Sequence, residues 1–259
     1  MTARTVADIG RYLDELLRIS EIPDFDRALN GIQVDSESPI VKVAAAVDAR
    51  ERTIRAAAEA GANLLLVHHG LFWGGVQRLR GAFLRRIRLL LQHEIAVYSA
   101  HLPLDMHTEL GNNVLLAREM GLVPTTGFAR YKTVDIGVAG TSDVPTAELV
   151  SRAIRFARAH GHEVRTAGAV DGKVTRRWAI CTGAGAGHDT LREAADAGHD
   201  TLIVGEGPHW TAIEAEEAGL TIVYAGHYAT ETLGVRALAA HVANVFDLPW
   251  LFVDAPTGL

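Results

Sequence analysis

The chain has 259 residues, of which 48% are hydrophobic and 22% charged, and its formal net charge is -6 at pH 7. This composition supplies enough apolar sequence for one large domain or two smaller intertwined ones, and it excludes a chain that is disordered over most of its length. The single cysteine, Cys181, excludes an intrachain disulfide framework and a cysteine-rich metal cage, so any metal site must use histidine and carboxylate ligands.

The first segment, MTARTVADIGRYLDELL, predicts an amphipathic helix interrupted by charges. We do not expect this segment to be a secretory signal, because no basic segment is followed by an apolar core. No apolar run approaches the roughly 20 residues that a membrane span needs. We therefore expect a cytoplasmic protein that has no contact with a membrane.

Short apolar runs alternate with helical patterns in the first half of the chain. Strands are predicted at residues 41–48, 63–69 and 95–101, with helices at ERTIRAAAEAG and near residues 80–93 between them. Strands that are apolar on both faces and separated by helices are typical of a mostly parallel sheet covered by helices.

The same rhythm resumes after about residue 125, with residues 129–170 predicting strand, helix and strand. The segments WAICTGAG, HDTLREAADAG, DTLIVGEG, PHWTAIEAEEAG and LTIVYAGH then repeat the order of the first half. EAGANLLLVHHG matches DAGHDTLIVGEG, and HEIAVYSAH matches AGLTIVYAGH, although shared secondary structure alone can also produce such a match.

These patterns predict an α/β fold of two similar, intertwined domains, with mostly parallel sheets covered by helices and an origin in internal duplication. The first domain is expected to comprise residues 1–126 plus 227–259, and the second residues 127–226.

Histidines and carboxylates collect at the ends of the predicted strands. In both halves the third strand ends in a histidine, and a carboxylate follows it by four residues. Ligands of parallel sheets bind at the carboxyl ends of the strands, and first-row divalent ions accept imidazole and carboxylate when no thiolate is offered. The side chains concerned are His68, His69, His101, Asp105, Glu206, His227 and Glu231.

The adjacent pair His68 and His69 points to opposite sides of an extended backbone. Both can bind only where the strand is ending and twisting, or where each serves a different ion. The second alternative suits a dinuclear site, in which two metal ions about 3.5–4 Å apart share a bridging carboxylate from Asp105 or Glu231.

Other polar residues have ordinary structural interpretations. Asp48 could support a metal ligand, but a cap of the following helix is the favoured interpretation. Cys181 is expected in the core and His107 on a loop, whereas His209 could reach a substrate. The glycine-rich TGAGAG predicts a tight turn that lets the backbone approach the active crevice. The residues expected at the surface or in caps are His93, His160, His162, His199 and His241.

A cluster of arginines runs from Arg78 to Arg88 at helical spacing. A cluster this short is typical of a solvated or subunit-facing helix surface, so a nucleic-acid partner is not expected.

Four segments, NGIQVDS, LLLVHHGLFW, YSAHLPLDMHTELGNN and YAGHYATETLGVRAL, closely resemble the Nif-three-like family of dinuclear-metal proteins, often described as a second type of GTP cyclohydrolase I. The resemblance runs from about residue 10 to 255. It implies a toroidal homohexamer that holds two divalent metal ions per chain, with zinc, iron and manganese as the alternatives. It also implies that the metal ligands are His68, His69, Asp105, His227 and Glu231, with His101 either supporting them or acting as an occasional extra ligand.

The leading functional hypothesis is a metal-dependent hydrolase that acts on a nucleotide or related small molecule through a metal-bound water, with GTP cyclohydrolase-like ring opening as one reaction of this kind. His101 or Glu206 would then move the proton beside the ligands. The alternative is a ring-shaped metal-binding scaffold or regulatory protein without catalysis.

Overall fold

A computed structural model describes residues 4–258 and divides into two compact units. The first unit comprises Met1–Leu104 and Gly234–Ala255, and the second comprises Asp105–Leu233 and Pro256–Leu259. The predicted division, at residues 126/127 and 226/227, differs from this one. Helix α5 (Asn112–Glu119) lies with the second unit because it packs against that unit's sheet.

The first unit is built on a five-stranded sheet of order β1-β4-β3-β2-β11. Strand β1 is antiparallel to β4, and the remaining neighbours are parallel. The strands are β1 (Gly31–Val34), β2 (Val43–Asp48), β3 (Leu64–His69), β4 (Ala96–Ser99) and β11 (Trp250–Phe252). The helices of this part of the chain are α1 (Val6–Leu16), α2 (Glu51–Glu59), α3 (Gly81–Gln92), the short α4 (Leu102–Asp105) and α9 (His227–Phe246), of which α9 begins in the second unit.

The second unit contains a six-stranded sheet of order β5-β6-β8-β9-β10-β7. Strands β8, β9 and β10 are parallel, and the flanking strands pair antiparallel. The strands are β5 (Thr126–Tyr131), β6 (Val134–Pro145), β7 (Arg165–Ala167), β8 (Val174–Cys181), β9 (Thr201–Val204) and β10 (Thr221–Tyr224). Besides α5, the helices are α6 (Thr146–Ala159), α7 (His188–Asp196) and α8 (Trp210–Glu217).

The predicted α/β fold and its repeated order are confirmed. In the first unit β2, α2, β3, α3 and β4 follow one another, and in the second β8, α7, β9, α8 and β10 do the same. Each series forms three adjacent parallel strands. In the second sheet, the parallel pairing lies between β8, β9 and β10. The strands formed within residues 129–170, which were predicted, pair antiparallel on either side of these three.

Burial explains why these strands form. Every residue of β4 and β9 is buried, and β2 and β3 are buried up to their last residue. Helices α2 and α3 cover one face of the first sheet with Ile54, Phe83 and Leu90, which pack with Leu65 in one apolar cluster. Burial of such side chains stabilises the unit by roughly 1.5–3 kcal/mol each.

The arginine cluster begins just before α3 and extends to Arg88 within it. Arg85 forms an ion pair with Glu51 at 2.8 Å, and Arg86 donates a hydrogen bond to the carbonyl oxygen of Ala49 at 3.0 Å. These contacts tie part of the cluster to α2 and to the end of β2, as expected for a helix surface. Among the described residues, no helix has the length and apolar character required to cross a membrane.

Two adjacent leucines of α3 test this packing. Leu90 is fully buried, whereas Leu91 is 63% exposed. We expect Leu90→Ala to lower the free energy of unfolding by about 2–5 kcal/mol, because it removes core contacts and leaves a cavity. The matched control, Leu91→Ala, should change it by no more than about 0.5 kcal/mol. Chemical denaturation measures both, and equal losses would contradict this placement of α3.

Candidate metal centre

Three histidines of the first unit lie together at the carboxyl ends of two neighbouring strands. His68 and His69 end β3, and His101 follows β4, its parallel neighbour. One ligand-type atom from each of the three lies within 4.8 Å of the others. The ring centroids of His68 and His101 are 4.9 Å apart, and imidazole nitrogens this close together suit a cation.

The first two rings are oriented by hydrogen bonds at Nδ1. Nδ1 of His68 lies 2.9 Å from the carbonyl oxygen of Ala100, and Nδ1 of His69 lies 3.0 Å from a carboxylate oxygen of Asp48. When Nδ1 donates, Nε2 carries the lone pair that a metal requires. The expectation that Asp48 caps α2 was wrong, because the residue at the N-cap is Arg50.

His101 is held in the same way by Asp24, whose side chain is 7% exposed. That carboxylate lies 2.9 Å from Nδ1 of His101, and it accepts hydrogen bonds from the backbone N–H groups of Phe25 and Leu102 and from the side chain of Asn30. Burial alone would raise the pKa of Asp24, but the hydrogen bonds and the charge of His101 outweigh it and lower the pKa. Asn30 in turn accepts from the backbone N–H of His101 at 2.8 Å.

Asp24 and Asn30 had no role assigned from the sequence alone. Asn30 opens the segment NGIQVDS, which carried part of the family resemblance, and that was the available signal. Asp24 lies in a loop with no recognisable pattern. Its partner is 77 residues away along the chain, so only the fold shows the connection.

Aromatic rings border the three imidazoles. The ring of Trp73 stands edge-on to His101 at 4.7 Å and to His69 at 5.7 Å between centroids. Phe25 lies 5.7 Å from the His101 ring. His68 and His101 are buried, with 0% and 8% exposure, and burial strengthens electrostatic interactions inside the cluster.

In the second unit, His227 and Glu231 lie one turn apart at the start of α9, where residues four apart share a helix face. Nε2 of His227 lies 3.2 Å from a carboxylate oxygen of Glu231, which is 3% exposed. Nδ1 of His227 lies 2.8 Å from a carboxylate oxygen of Glu206, which follows β9. Burial alone would lower the pKa of His227, but the hydrogen bonds and charges of Glu231 and Glu206 outweigh it and raise the pKa to about 9.

Asp105 is also buried, with 8% exposure, and belongs to the second unit. Its carboxylate accepts a hydrogen bond from the side chain of Asn112 at 2.8 Å. The side chain of Asn113 donates to the backbone oxygens of Asp105, at 3.3 Å, and Ile136, at 2.7 Å. The asparagine pair of the segment LGNN therefore fixes Asp105 against β6. Nδ1 of nearby His107 accepts backbone hydrogen bonds from residues 109 and 110, as suits a loop residue.

Cys181 ends β8 in the core of the second unit, as the sequence predicted. Burial raises the pKa of its thiol to about 12, and the charges of Asp105, Glu193 and Glu231 add to the rise. The thiol is therefore protonated at neutral pH and is unsuited to act as a nucleophile or thiolate ligand.

The TGAGAG segment is a tight turn between β8 and α7, as predicted. Gly183 has a φ of +63°, and a side chain at this position would overlap the carboxylate of Glu231. Its N–H donates to the hydroxyl of Thr230 at 3.0 Å. The absence of a side chain lets the backbone approach the start of α9, in agreement with the expected close approach.

The donor chemistry of both units suits a divalent metal. His68 and His69 belong to the first unit, and Asp105, His227 and Glu231 belong to the second. Each of these histidines has a hydrogen-bond partner at Nδ1, and both carboxylates are buried, which is costly without a compensating positive charge. Imidazole nitrogens and carboxylate oxygens are the ligands of zinc, iron and manganese.

The sequence profile of the Duf34/NIF3 (NGG1p interacting factor 3) family matches residues 4–257. A protein from Deinococcus radiodurans named GTP cyclohydrolase 1 type 2 homolog is 41% identical over 97% of this chain and 94% of its own length. A protein of the same name from Pyrococcus abyssi is 38% identical over 97% of this chain and 98% of its own length.

Solved protein structures are also similar to this chain. The structural-genomics structure of protein ybgI, described as of unknown function, has a TM-score of 0.88 and 33% identity, and the match covers 98% of this chain and 100% of that one. The crystal structure of a protein from Thermus thermophilus has a TM-score of 0.83 and 39% identity, and the match covers 98% of this chain and 99% of that one.

Substitution of Gly183 tests the close approach to Glu231. We expect Gly183→Ala to lower the metal content of the purified protein, because the new methyl group displaces the Glu231 carboxylate and the left-handed backbone adds strain of about 1–2 kcal/mol. Gly187→Ala is the matched control, since Gly187 has a φ of -153° and its nearest added contact is 4.0 Å away. Metal analysis that found the same content in both variants would contradict this account.

The raised pKa of His227 predicts how the stability of metal-free protein depends on pH. Because the folded pKa, about 9, exceeds the ordinary value of 6.5, protonated His227 stabilises the folded chain fully below pH 6.5. This contribution is lost as the pH rises through about 9. Thermal unfolding in the presence of a chelator should therefore show a falling midpoint over this window.

Glu206→Gln should reduce that fall, since it removes one of the two charges that raise the pKa. Exposed Glu217→Gln is the control and should behave as wild type. An identical pH profile for wild type and Glu206→Gln would show that this ion pair does not set the pKa of His227.

Proposed function

This chain belongs to the Duf34/NIF3 family, and from that premise we propose that it is a dinuclear-metal-dependent hydrolase acting on a nucleotide or related small molecule. The proposed ligands of the two metal ions are His68, His69, Asp105, His227 and Glu231. The observation that supports the proposal is the orientation of the histidine rings, each of which has Nδ1 beside an acceptor, which favours the tautomer with the lone pair on Nε2.

When bound, the metal ions supply Lewis acidity and lower the pKa of water. The protein's own groups must then handle the proton. Nδ1 of His101 is paired with Asp24 at 2.9 Å, and this arrangement fixes the tautomer in which Nε2 can accept a proton and return it. Glu206, whose side chain is 42% exposed, is the second group placed to carry a proton to solvent.

Trp73 and Phe25 border the ring of His101, which is only 8% exposed. Burial of His101 would keep proton transfer on the protein's own groups rather than on bulk water. Hydrolytic opening of a purine ring and cleavage of a phosphoester are both compatible with these groups. The relatives' name, GTP cyclohydrolase 1 type 2 homolog, directs the first substrate trials to guanine nucleotides.

The remaining features of the proposal come from the sequence and its family resemblance. They are a toroidal homohexamer, a cytoplasmic location, and zinc, iron or manganese as the metal. No nucleic-acid partner is proposed, because Arg85 and Arg86 are engaged with α2 and with the end of β2.

Glu231→Ala tests the hydrolase against a structural metal site. Loss of a group that merely supports a ligand costs about 10–100-fold, so loss of a ligand should lower turnover by about 100-fold or more. The assay combines metal analysis of protein purified without chelator with turnover of a nucleotide panel. Glu217→Ala, on the exposed end of α8, is the control and should retain wild-type turnover.

The two outcomes separate the hypotheses. A hydrolase loses turnover in Glu231→Ala while the chain remains folded. A scaffold whose metals are structural loses thermal stability or assembly in the same variant, and its wild type binds two metals per chain without turning over any nucleotide.

A further inference from the structure

A pocket of about 350 Å³ opens in the second unit, at the carboxyl ends of β9 and β10. This edge is where ligands of parallel sheets bind. Its lining joins charged, aromatic and small residues, among them Arg165, Glu206, His209 and Tyr224. The sequence had pointed to Glu206 and His209, but Arg165 had no assigned role.

The strand order gives the pocket an acidic and a basic side. Arg165 on β7 is the Cα partner of Tyr224 on β10, and Tyr224 is in turn the partner of Val204 on β9. Directly paired residues project from the same face of a sheet, so Arg165 and Tyr224 lie on one face. Glu206 follows Val204 by two residues, and the strand of Tyr224 separates it from the strand of Arg165.

The basic side offers donors that are weakly engaged within the protein. The side chain of Arg165 is 73% exposed, and its ion pair with Glu163 is 3.5 Å long and equally exposed. Such pairs contribute little, so an incoming anion can replace Glu163 at small cost. His209 is exposed at the N-terminal end of α8.

His162 completes the basic side, although the sequence had placed it at the surface or in a cap. It is half-buried, and its ring lies so close to Gly226 that any side chain there would overlap it. Its Nδ1 lies 3.2 Å from the carbonyl oxygen of Gly258. The ring is therefore fixed in the wall of the pocket.

The wall between the two sides is largely apolar and includes the aromatic ring of Tyr224. The hydroxyl of Tyr224 lies 2.7 Å from the hydroxyl of Thr211, which fixes the aromatic ring in place. Ala212 of α8 and Pro208 line the same pocket. Gly207 lies against Ala186 so closely that a side chain would not fit. This surface suits a planar organic group.

We propose that this pocket binds a phosphate-bearing small molecule, with its phosphate at Arg165 and its organic part on Tyr224, directed toward Glu206. A guanidinium binds phosphate through paired hydrogen bonds, which makes Arg165 the principal anion ligand. The inference rests on the proposed function, because Glu206 is hydrogen-bonded to the proposed metal ligand His227. The organic part, and not the phosphate, is then the part presented to the reaction.

Binding of guanosine monophosphate, guanosine and inorganic phosphate tests the assignment, measured by calorimetry at about 0.15 M salt on metal-loaded and metal-free protein. Removing a charged hydrogen-bond partner weakens binding about tenfold to a hundredfold, and we expect this loss for the monophosphate in Arg165→Ala. Guanosine should bind wild type more weakly than the monophosphate, and Arg165→Ala should leave its affinity unchanged.

Arg176→Ala is the matched control. Arg176 is 70% exposed and pairs with exposed Asp143 at 3.3 Å, but it does not line the pocket. Equal affinity of the two variants for the monophosphate, or no binding of it to wild type, overturns the proposal. Equal affinities for inorganic phosphate and the monophosphate would contradict the proposed binding of the organic part on Tyr224.

The result is separable from that for the proposed function. If Arg165→Ala matches Arg176→Ala while the protein still holds two metals and turns over a nucleotide, the pocket assignment fails and the hydrolase stands. If wild type holds no metal but the monophosphate still depends on Arg165, the hydrolase fails and the phosphate site stands.

Discussion

The structure of the candidate centre depends on one repeated interaction, a hydrogen bond at the Nδ1 atom of each histidine. The partner is a backbone carbonyl in one case and a carboxylate in the other three. Each bond favours the tautomer whose Nε2 carries the lone pair, which the proposed metal ions would use at His68, His69 and His227 and a transferred proton at His101, and it orients the ring. The histidines concerned are His68, His69, His101 and His227. Folding therefore carries most of the entropic cost of ordering the ligands.

The parallel strands of the fold bring these histidines together at one edge of each sheet. Strands β3 and β4 are parallel neighbours, so the side chains that follow them emerge at one edge. In the second unit the same order of strands and helices brings Glu206 after β9 and His227 after β10. The repeated β-α-β order thus places a histidine at a strand end in each of the two units. The residues that hydrogen-bond to Nδ1 of these histidines differ between the units.

Much of this arrangement follows from the sequence. Strands such as β3 and β9 are apolar on both faces, and the ligand-type residues stand directly at strand ends, so both were predictable from local patterns. The short edge strands β1 and β11 were missed because three or four residues carry too little periodicity. Asp24 and Asn30 were missed because their partner lies 77 and 71 residues away. Asp48 resembled a local cap, but the fold instead places it against His69, 21 residues further on.

The most direct test is a crystal structure of metal-loaded protein with anomalous diffraction at the metal absorption edge. The account predicts two anomalous peaks per chain, with Nε2 of His68, His69 and His227 and carboxylate oxygens of Asp105 and Glu231 about 2.0–2.2 Å from them. Peaks bound through Nδ1, or peaks located away from these five side chains, would contradict it.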